Sequence, residues 1–235
     1  MLKNYFKIAW RNLWKNKTFT ALNIGGLTIS LAACLVIFFW VKNELNYDSA
    51  AANANRVYRV ALTLKVKGQP DKQFAITGGP LAPALVKDFP DIDKATRVEF
   101  FGTMVKYKNE QFFSDKFIFA DSTFFEVFGY PLIKGDAHNV LNGPNSVVIT
   151  ESLAKKYFGN DDAIGKTIMC SDTIPLKVTG IAKDLPATTH IQFEMVCALR
   201  VLEKNGIDNV TGWGMKKKNL DSNRQRIVLT MNHEL

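Results

Sequence analysis

Residues 18–41 read TFTALNIGGLTISLAACLVIFFWV, twenty-four positions without one charged side chain. As a helix rising about 1.5 Å per residue, this stretch reaches roughly 36 Å, enough to cross a hydrocarbon layer of about 30 Å with tilt to spare. A lone segment in lipid has to satisfy its own backbone hydrogen bonds, which dictates helix. We assign 18–42 to a transmembrane helix and expect it to be uncleaved and the chain's single crossing. Later apolar patches near Phe112–Ile118 and Phe124–Ile133 are interrupted by Asp115, Lys116, Asp121 and Glu126.

Charge on the two sides of this stretch is unequal. Six basic residues and no acidic ones occur up to Lys42, while Glu44 and Asp48 come after the span. The bias predicts a cytoplasmic N-terminus and an extracytoplasmic remainder. Of 30 basic residues, 24 then remain against 22 acidic, a balance of +2, so the overall +8 belongs mainly to the anchor. A nearly neutral body excludes nucleic acid as the expected partner, and the basic flank points to membrane lipid instead.

Residues 1–17 form a basic amphipathic cytoplasmic segment. Lys3, Lys7, Arg11 and Lys15 recur every four positions, and Leu2, Tyr5, Phe6, Ala9, Leu13 and Trp14 are read on the other side of the wheel. With Trp10 and Lys17 added, the expected membrane-interface set is Lys3, Lys7, Trp10, Arg11, Trp14, Lys15 and Lys17. A merely basic flank that orients insertion is the plainer alternative. Two cleavage readings also stand. Leu31-Ala32-Ala33-Cys34 resembles a lipoprotein signal, but Leu35–Val41 would leave an apolar stub. A secretory signal would need a shorter apolar core than this. Within the span, Gly26, Ser30 and Cys34 lie four apart, a strip of small side chains suited to packing against another helix.

Residues 43–55 read as a polar, alanine-rich linker. Tyr58, Val60, Leu62, Leu64 and Val66 then alternate with polar neighbours as in a half-buried strand, and Gly68-Gln69-Pro70-Asp71 turns the chain. A helix is expected over Pro80–Asp88 and a strand over Ala95–Phe101, completing a β-α-β unit. Further strands are expected at Thr103–Tyr107, Gln111–Phe119, Ser146–Ile149, Lys166–Cys170 and Leu176–Ala182. Helices are expected at Thr123–Phe128, capped by Asp121-Ser122, and at Glu151–Phe158, between a Thr150 cap and Gly159. The phenylalanines from Phe112 to Phe128 read as core. Lys216–Lys218, Arg224 and Arg226 fall in a polar C-terminal segment, 205–235.

Catalytic chemistry is thinly represented. Gly159-Asn160-Asp161-Asp162-Ala163-Ile164-Gly165-Lys166-Thr167 imitates a phosphate loop, but five residues separate its glycines where four are needed, and a helix precedes it. It reads as a turn. His138, His190 and His233 are dispersed, and the cysteines form no metal pair. No catalytic, cofactor or metal residue is assigned. A disulfide between Cys170 and Cys197 stays open, because spacing does not fix geometry.

Several ordered motifs carry a family resemblance. Phe128-Gly129-Tyr130-Pro131-Leu132-Ile133-Lys134-Gly135-Asp136 is followed by Ser146-Val147-Val148-Ile149-Thr150-Glu151-Ser152-Leu153-Ala154-Lys155-Lys156-Tyr157-Phe158-Gly159, by Ile164-Gly165-Lys166-Thr167 and by Val178-Thr179-Gly180-Ile181-Ala182-Lys183-Asp184-Leu185-Pro186. Together these resemble the MacB-type periplasmic core domain. Ile8-Ala9-Trp10-Arg11-Asn12-Leu13 and Asn55-Arg56-Val57-Tyr58-Arg59-Val60 resemble the start of FtsX-like ABC transporter permeases.

The resemblance implies an α+β ectodomain at 56–204 in two lobes. A porter-like β-α-β lobe would take about 56–102 and 174–204, with an inserted, mostly β lobe at about 103–173. It also implies a non-enzymatic permease component in the bacterial inner membrane, driven by a separate cytoplasmic ATPase. Other permease subunits, usually as a dimer, and a periplasmic partner or substrate belong to that picture. Such permeases continue into three more spanning helices, so a chain ending at Leu235 in polar sequence is expected to be truncated before them. A stand-alone anchored binding or sensing module is the alternative.

Overall fold

The structure, a computed structural model, describes residues 2–45, 47–48, 50–65, 67–75, 77–108, 110–204 and 226–231. The chain divides into two units, Met1–Tyr47 and Asp48–Leu235.

The first unit is helical. α1 runs over Leu2–Lys15 and α2 over Lys17–Leu45. Helical hydrogen bonding continues through Asn16, whose N–H donates to Asn12 O while its own carbonyl accepts from Thr20 N. The axis nonetheless bends, because the Thr20 hydroxyl donates to the Leu13 carbonyl at 3.0 Å. In a straight helix seven residues separate such groups by about 10 Å of rise. A hydroxyl inserted into the hydrogen-bond ladder is a recognised cause of such an elbow. No residue of α2 is buried within the chain, and it is the one helix among the described residues long and apolar enough to cross a membrane.

The second unit is α+β. Its elements are β1 (Val57–Arg59), β2 (Leu62–Leu64), β3 (Lys72–Phe74), α3 (Leu81–Asp88), β4 (Ile92–Phe100), β5 (Thr103–Tyr107), β6 (Glu110–Ser114), β7 (Phe117–Ala120), α4 (Phe124–Phe128), β8 (Leu132–Lys134), β9 (Ser146–Thr150), α5 (Glu151–Phe158), β10 (Thr167–Cys170), β11 (Ile174–Ala182), β12 (Met195–Ala198), α6 (Arg200–Lys204) and β13 (Arg226–Met231). Among the described residues the main sheet runs β1-β13-β4-β7-β12-β9-β11-β10-β5-β6, with β8 added on β11. The β7–β12 and β9–β11 pairs are parallel. β1 and β4 both pair antiparallel with β13, which fills the gap in the expected β-α-β unit.

The central strands are buried on both faces, which explains why their sequences are continuously apolar rather than alternating. Successive side chains leave opposite faces. Phe117, Phe119, Val147, Ile149, Met195 and Cys197 join one core with Leu153 and Phe158 of α5. Their neighbours Ile118, Ala120, Val148, Val196 and Ala198 join a second core under Phe124, Phe125 and Phe128 of α4. The two short helices thus cover opposite faces of the same three strands. Gly129 takes φ +66° to end α4, and Gly159 takes φ +63° to end α5, each in a left-handed region that a side chain would oppose.

Several expectations change. The strand expected from Tyr58 breaks after Arg59; β2 and β3 form a separate hairpin, and Tyr58 and Leu62 are exposed, so these positions mark no buried face, while Val66 lies outside the described residues. The strand expected over Gln111–Phe119 bends at Asp115-Lys116 into β6 and β7. Phe113, read as core, is 66% exposed. Asp121 does not cap α4 through its side chain, because Arg97 claims its carboxylate. Residues 226–231, assigned to a polar tail, form β13, with Ile227, Val228 and Leu229 buried between β1 and β4. The run Ile227–Leu229 is apolar, but its polar surroundings hid it. Lys216–Lys218 and Arg224 lie outside the described residues.

Candidate functional site

Two places gather the side chains that matter for an anchored protein. The first is the elbow between α1 and α2. Trp10, Leu13 and Trp14 of α1 and Lys17, Ala21 and Ile24 of α2 line a groove of about 420 Å³ inside the bend. The sequence reading sets Trp14 opposite the basic residues, but it follows Arg11 by three positions and Lys7 by seven and so shares their face of α1; in the structure the Lys17 ammonium lies over its ring, 5.5 Å from the centroid. Attraction between a cation and the electron-rich ring face holds that charge at the groove. Lys3, Lys7, Trp10, Arg11, Trp14, Lys15 and Lys17 are all exposed within the unit, as are the other described side chains of α1.

Further along α2, Gly26, Ser30 and Cys34 lie on successive turns. The Ser30 hydroxyl donates to Gly26 O at 2.8 Å, which removes its polar hydrogen from the surface. A Cβ added at Gly26 would meet nothing within 4 Å, so the strip is open to a close neighbour.

The second place is where the body begins. The reading of 43–55 as a linker fails from Asp48 onward, since this segment is stitched to the body. Asp48 N donates to Thr188 O at 2.8 Å. Its carboxylate accepts from His190 N at 2.7 Å and meets His190 Nδ1 at 2.6 Å. Asn53 Nδ2 donates to the carbonyls of Glu126 and Val127 at 2.8 and 3.2 Å. Arg56 donates from Nε and a terminal nitrogen to Met231 O at 2.9 and 2.6 Å, joining the segment to β13. Ala52 packs so closely on Gly129 that a Cβ there would sit 2.9 Å from the Ala52 Cβ. These contacts were invisible in sequence because their partners are 73 to 175 positions away.

The stitched segment walls a cavity of about 280 Å³ lined by Asp48, Ala51, Phe128, Tyr130, His190 and Val228, among others. Phe128 and Tyr130 stack at 5.1 Å with planes 8° apart. Burial pushes the Tyr130 hydroxyl well above its usual range, and the Asp48 charge adds to it, so it stays a neutral hydrogen-bonding group.

A charge cluster braces the neighbouring elements. Arg97 clasps Asp121 through its backbone N, Nε and a terminal nitrogen at 2.8, 2.8 and 2.7 Å, with Glu203 of α6 at 3.9 Å. Burial opposes the Arg97 charge, yet the Asp121 carboxylate outweighs it and raises the guanidinium's pKa. Glu126 of α4 pairs with Lys94 of β4 and with His138 at 2.9 Å.

The imitation phosphate loop is a helix-to-strand turn between α5 and β10. Lys166 pairs with Asp161 at 2.9 Å, and the Asp162 carboxylate accepts from Ile164 N at 3.2 Å. Among the described residues no three His, Cys, Asp or Glu side chains gather as metal ligands would. Cys170 and Cys197 are free thiols buried in one core.

Known proteins share both the sequence pattern and the fold. The family model described as the MacB-like periplasmic core domain matches residues 20–211. The pyoverdine export ATP-binding/permease protein PvdT of Pseudomonas syringae pv. syringae is 24% identical over 191 residues, covering 78% of this chain and 28% of that protein. The chain therefore spans little more than a quarter of that relative's length. A domain described as that of a permease protein from Porphyromonas gingivalis superposes with TM-score 0.63 at 22% identity, covering 79% of each chain. The periplasmic region of MacB from Actinobacillus actinomycetemcomitans gives 0.57 at 17% identity, covering 82% of this chain and 81% of its own. At such identities the likeness to these structures is one of fold.

Proposed function

Because this chain belongs to the MacB-like periplasmic core domain family, we propose that it is a non-enzymatic permease component of an ABC transporter or mechanotransmission complex. α2 crosses the bacterial inner membrane once, with α1 on the cytoplasmic surface and the body in the periplasm. Support comes from the five basic residues before the span, Lys3, Lys7, Arg11, Lys15 and Lys17, with no acidic one among them, and from Glu44 and Asp48 after it. The membrane-interface side chains are Lys3, Lys7, Trp10, Arg11, Trp14, Lys15 and Lys17, and the Gly26, Ser30 and Cys34 strip receives a helix of another permease subunit, in a dimer. A single helix encloses no translocation path, so further spanning helices, from a longer form of this chain or from other subunits, complete it. A separate cytoplasmic ATPase supplies the energy.

One observation carries this reading. α2 ends at Leu45, and from Asp48 the chain is fastened to the loop at Thr188-His190 and then to α4 and β13. A chain fastened into the fold from Asp48 onward suits the delivery of a pull along the backbone into the body, where a long free tether would dissipate it. The body engages a substrate or a periplasmic partner and works as two lobes, about 56–102 with 174–204 and about 103–173. In support, β1 and β4 lie toward one end of the sheet and β10, β5 and β6 at the other, while β7 and β9 of the 103–173 stretch interleave with β12 and β11 at the centre and join the two.

A second reading, a stand-alone anchored binding or sensing module, draws on the cavity beside Tyr130. Co-purification from mild detergent separates the two. Recovery of an ATPase and further membrane subunits is expected; a stable lone monomer would overturn the transporter reading in favour of the module.

A further inference from the structure

The elbow has the makings of a ligand site that general membrane affinity does not require. We propose that the groove between α1 and α2 binds one anionic phospholipid, its phosphate on Lys17 and an acyl chain along Leu13, Ala21 and Ile24. This rests on the membrane reading above and adds a defined occupant to it.

Four observations point to that occupant. The groove's volume of about 420 Å³ falls in the range of small-molecule pockets. Its walls are mainly apolar, and their one charged group is the Lys17 ammonium, which is held over the Trp14 ring. The Thr20 hydroxyl, which also lines the groove, is already committed to Leu13 O, so the bend that forms the groove has its own hydrogen bond. No acidic residue occurs before Glu44 to compete for Lys17. An apolar trough with one fixed cation at the start of an apolar span is complementary to a molecule with an anionic head and a hydrocarbon tail. A zwitterionic lipid would bring its own cation against Lys17.

The test uses the full chain in phosphatidylcholine nanodiscs holding a minority of phosphatidylglycerol, at constant ionic strength. Trp14 is kept as the sole tryptophan by W10F, W40F and W213F. Bromine on the acyl chains of one lipid at a time makes that lipid the quencher. At matched mole fraction, brominated phosphatidylglycerol is expected to quench about fivefold more strongly, the factor that one basic group near an anionic surface supplies. K17Q should abolish the preference, whereas K3Q with K7Q should leave it. Native mass spectrometry of the unmodified chain should retain one phosphatidylglycerol, lost in K17Q.

Equal quenching by both lipids overturns the site and leaves the membrane reading standing. Preference that survives K17Q, or that K3Q with K7Q removes equally, reduces it to diffuse attraction and overturns it as well. Relief by excess inorganic phosphate would assign the site to a free anion instead of a lipid. Absence of quenching by either lipid would sink the membrane reading and the site together.

Discussion

Leu31, Phe38 and Trp40 of α2 leave 60–64% of their surface exposed within the chain, whereas Phe117, Phe119 and Phe124 in the body leave 0–2%. The two regions are similarly apolar, and they differ in what removes them from water. In the body, strands β7, β9 and β12 are covered on both faces by α4 and α5, so the protein supplies the apolar medium itself. Among the described residues of its own unit nothing does so for α2, and on the proposal above lipid or a partner helix would. Apolar composition therefore fixes only that burial must occur; the order of elements decides where.

The comparison makes separable demands. The largest expected effect is in the body. Phe124→Ala removes a ring at the centre of an aromatic group with Phe125, Phe128, Tyr130 and Phe193. It should cost about 3–5 kcal/mol, seen as a fall in Tm of roughly 10 °C by near-UV circular dichroism, with membrane association unchanged. Loss of the membrane fraction in this variant would break the separation.

Next is the converse. Leu31→Arg places a charge mid-span at a cost of about 3 kcal/mol. Carbonate extraction should find the chain displaced from membranes while the body's Tm stays the same. A lowered Tm would mean that the two regions are not energetically separable.

Within the body, the charged clamp of Arg97 and Asp121 comes third. Asp121→Asn takes away half of the Arg97 partnership in a partly exposed setting. It should cost about 1–2 kcal/mol, less than a fully buried pair would, as read by urea unfolding. No change would assign the bracing of α4 to its phenylalanines alone.

The smallest effect is in alkali. Burial, with the charge of Glu194, lifts the Tyr157 hydroxyl to about 12, above the ordinary tyrosine value of about 10. The unfolded chain therefore loses its proton first. Stability from this group is full below about pH 10 and declines as pH climbs toward about 12. Tyr157→Phe keeps the ring stacked on Phe112 at 4.8 Å and should flatten part of that decline in a pH series of urea melts. An unchanged slope would remove Tyr157 from the account.

How much of this was readable varies with the range of the forces involved. Helices over Glu151–Phe158 and near Thr123–Phe128 and Pro80–Asp88 announce themselves through local period and terminators such as Gly159. β12 was missed because Met195–Ala198 is four apolar residues, too short to carry a period. β13 was missed because only its pairing with β1 and β4 gives Ile227–Leu229 a place to be buried. At the elbow, the residue types were legible and their arrangement was not: the bend depends on a hydroxyl that reaches back seven positions. The Asp48 attachment lay further from view, since no pattern within 43–55 identifies His190 or Met231 as its partners.

Sequence alone settled the apolar stretch at 18–41, the basic flank before it, the near neutrality of the chain beyond Lys42 and the mixed α+β character of the body. These are properties of neighbouring residues, governed by hydropathy, charge and short-range backbone preference. Tertiary structure decided which face each strand presents, that β13 lies between β1 and β4, and that Asp48–Arg56 is part of the body instead of a tether. Those outcomes depend on hydrogen bonds and burial shared between residues far apart in the chain, and only the folded backbone brings such pairs within reach.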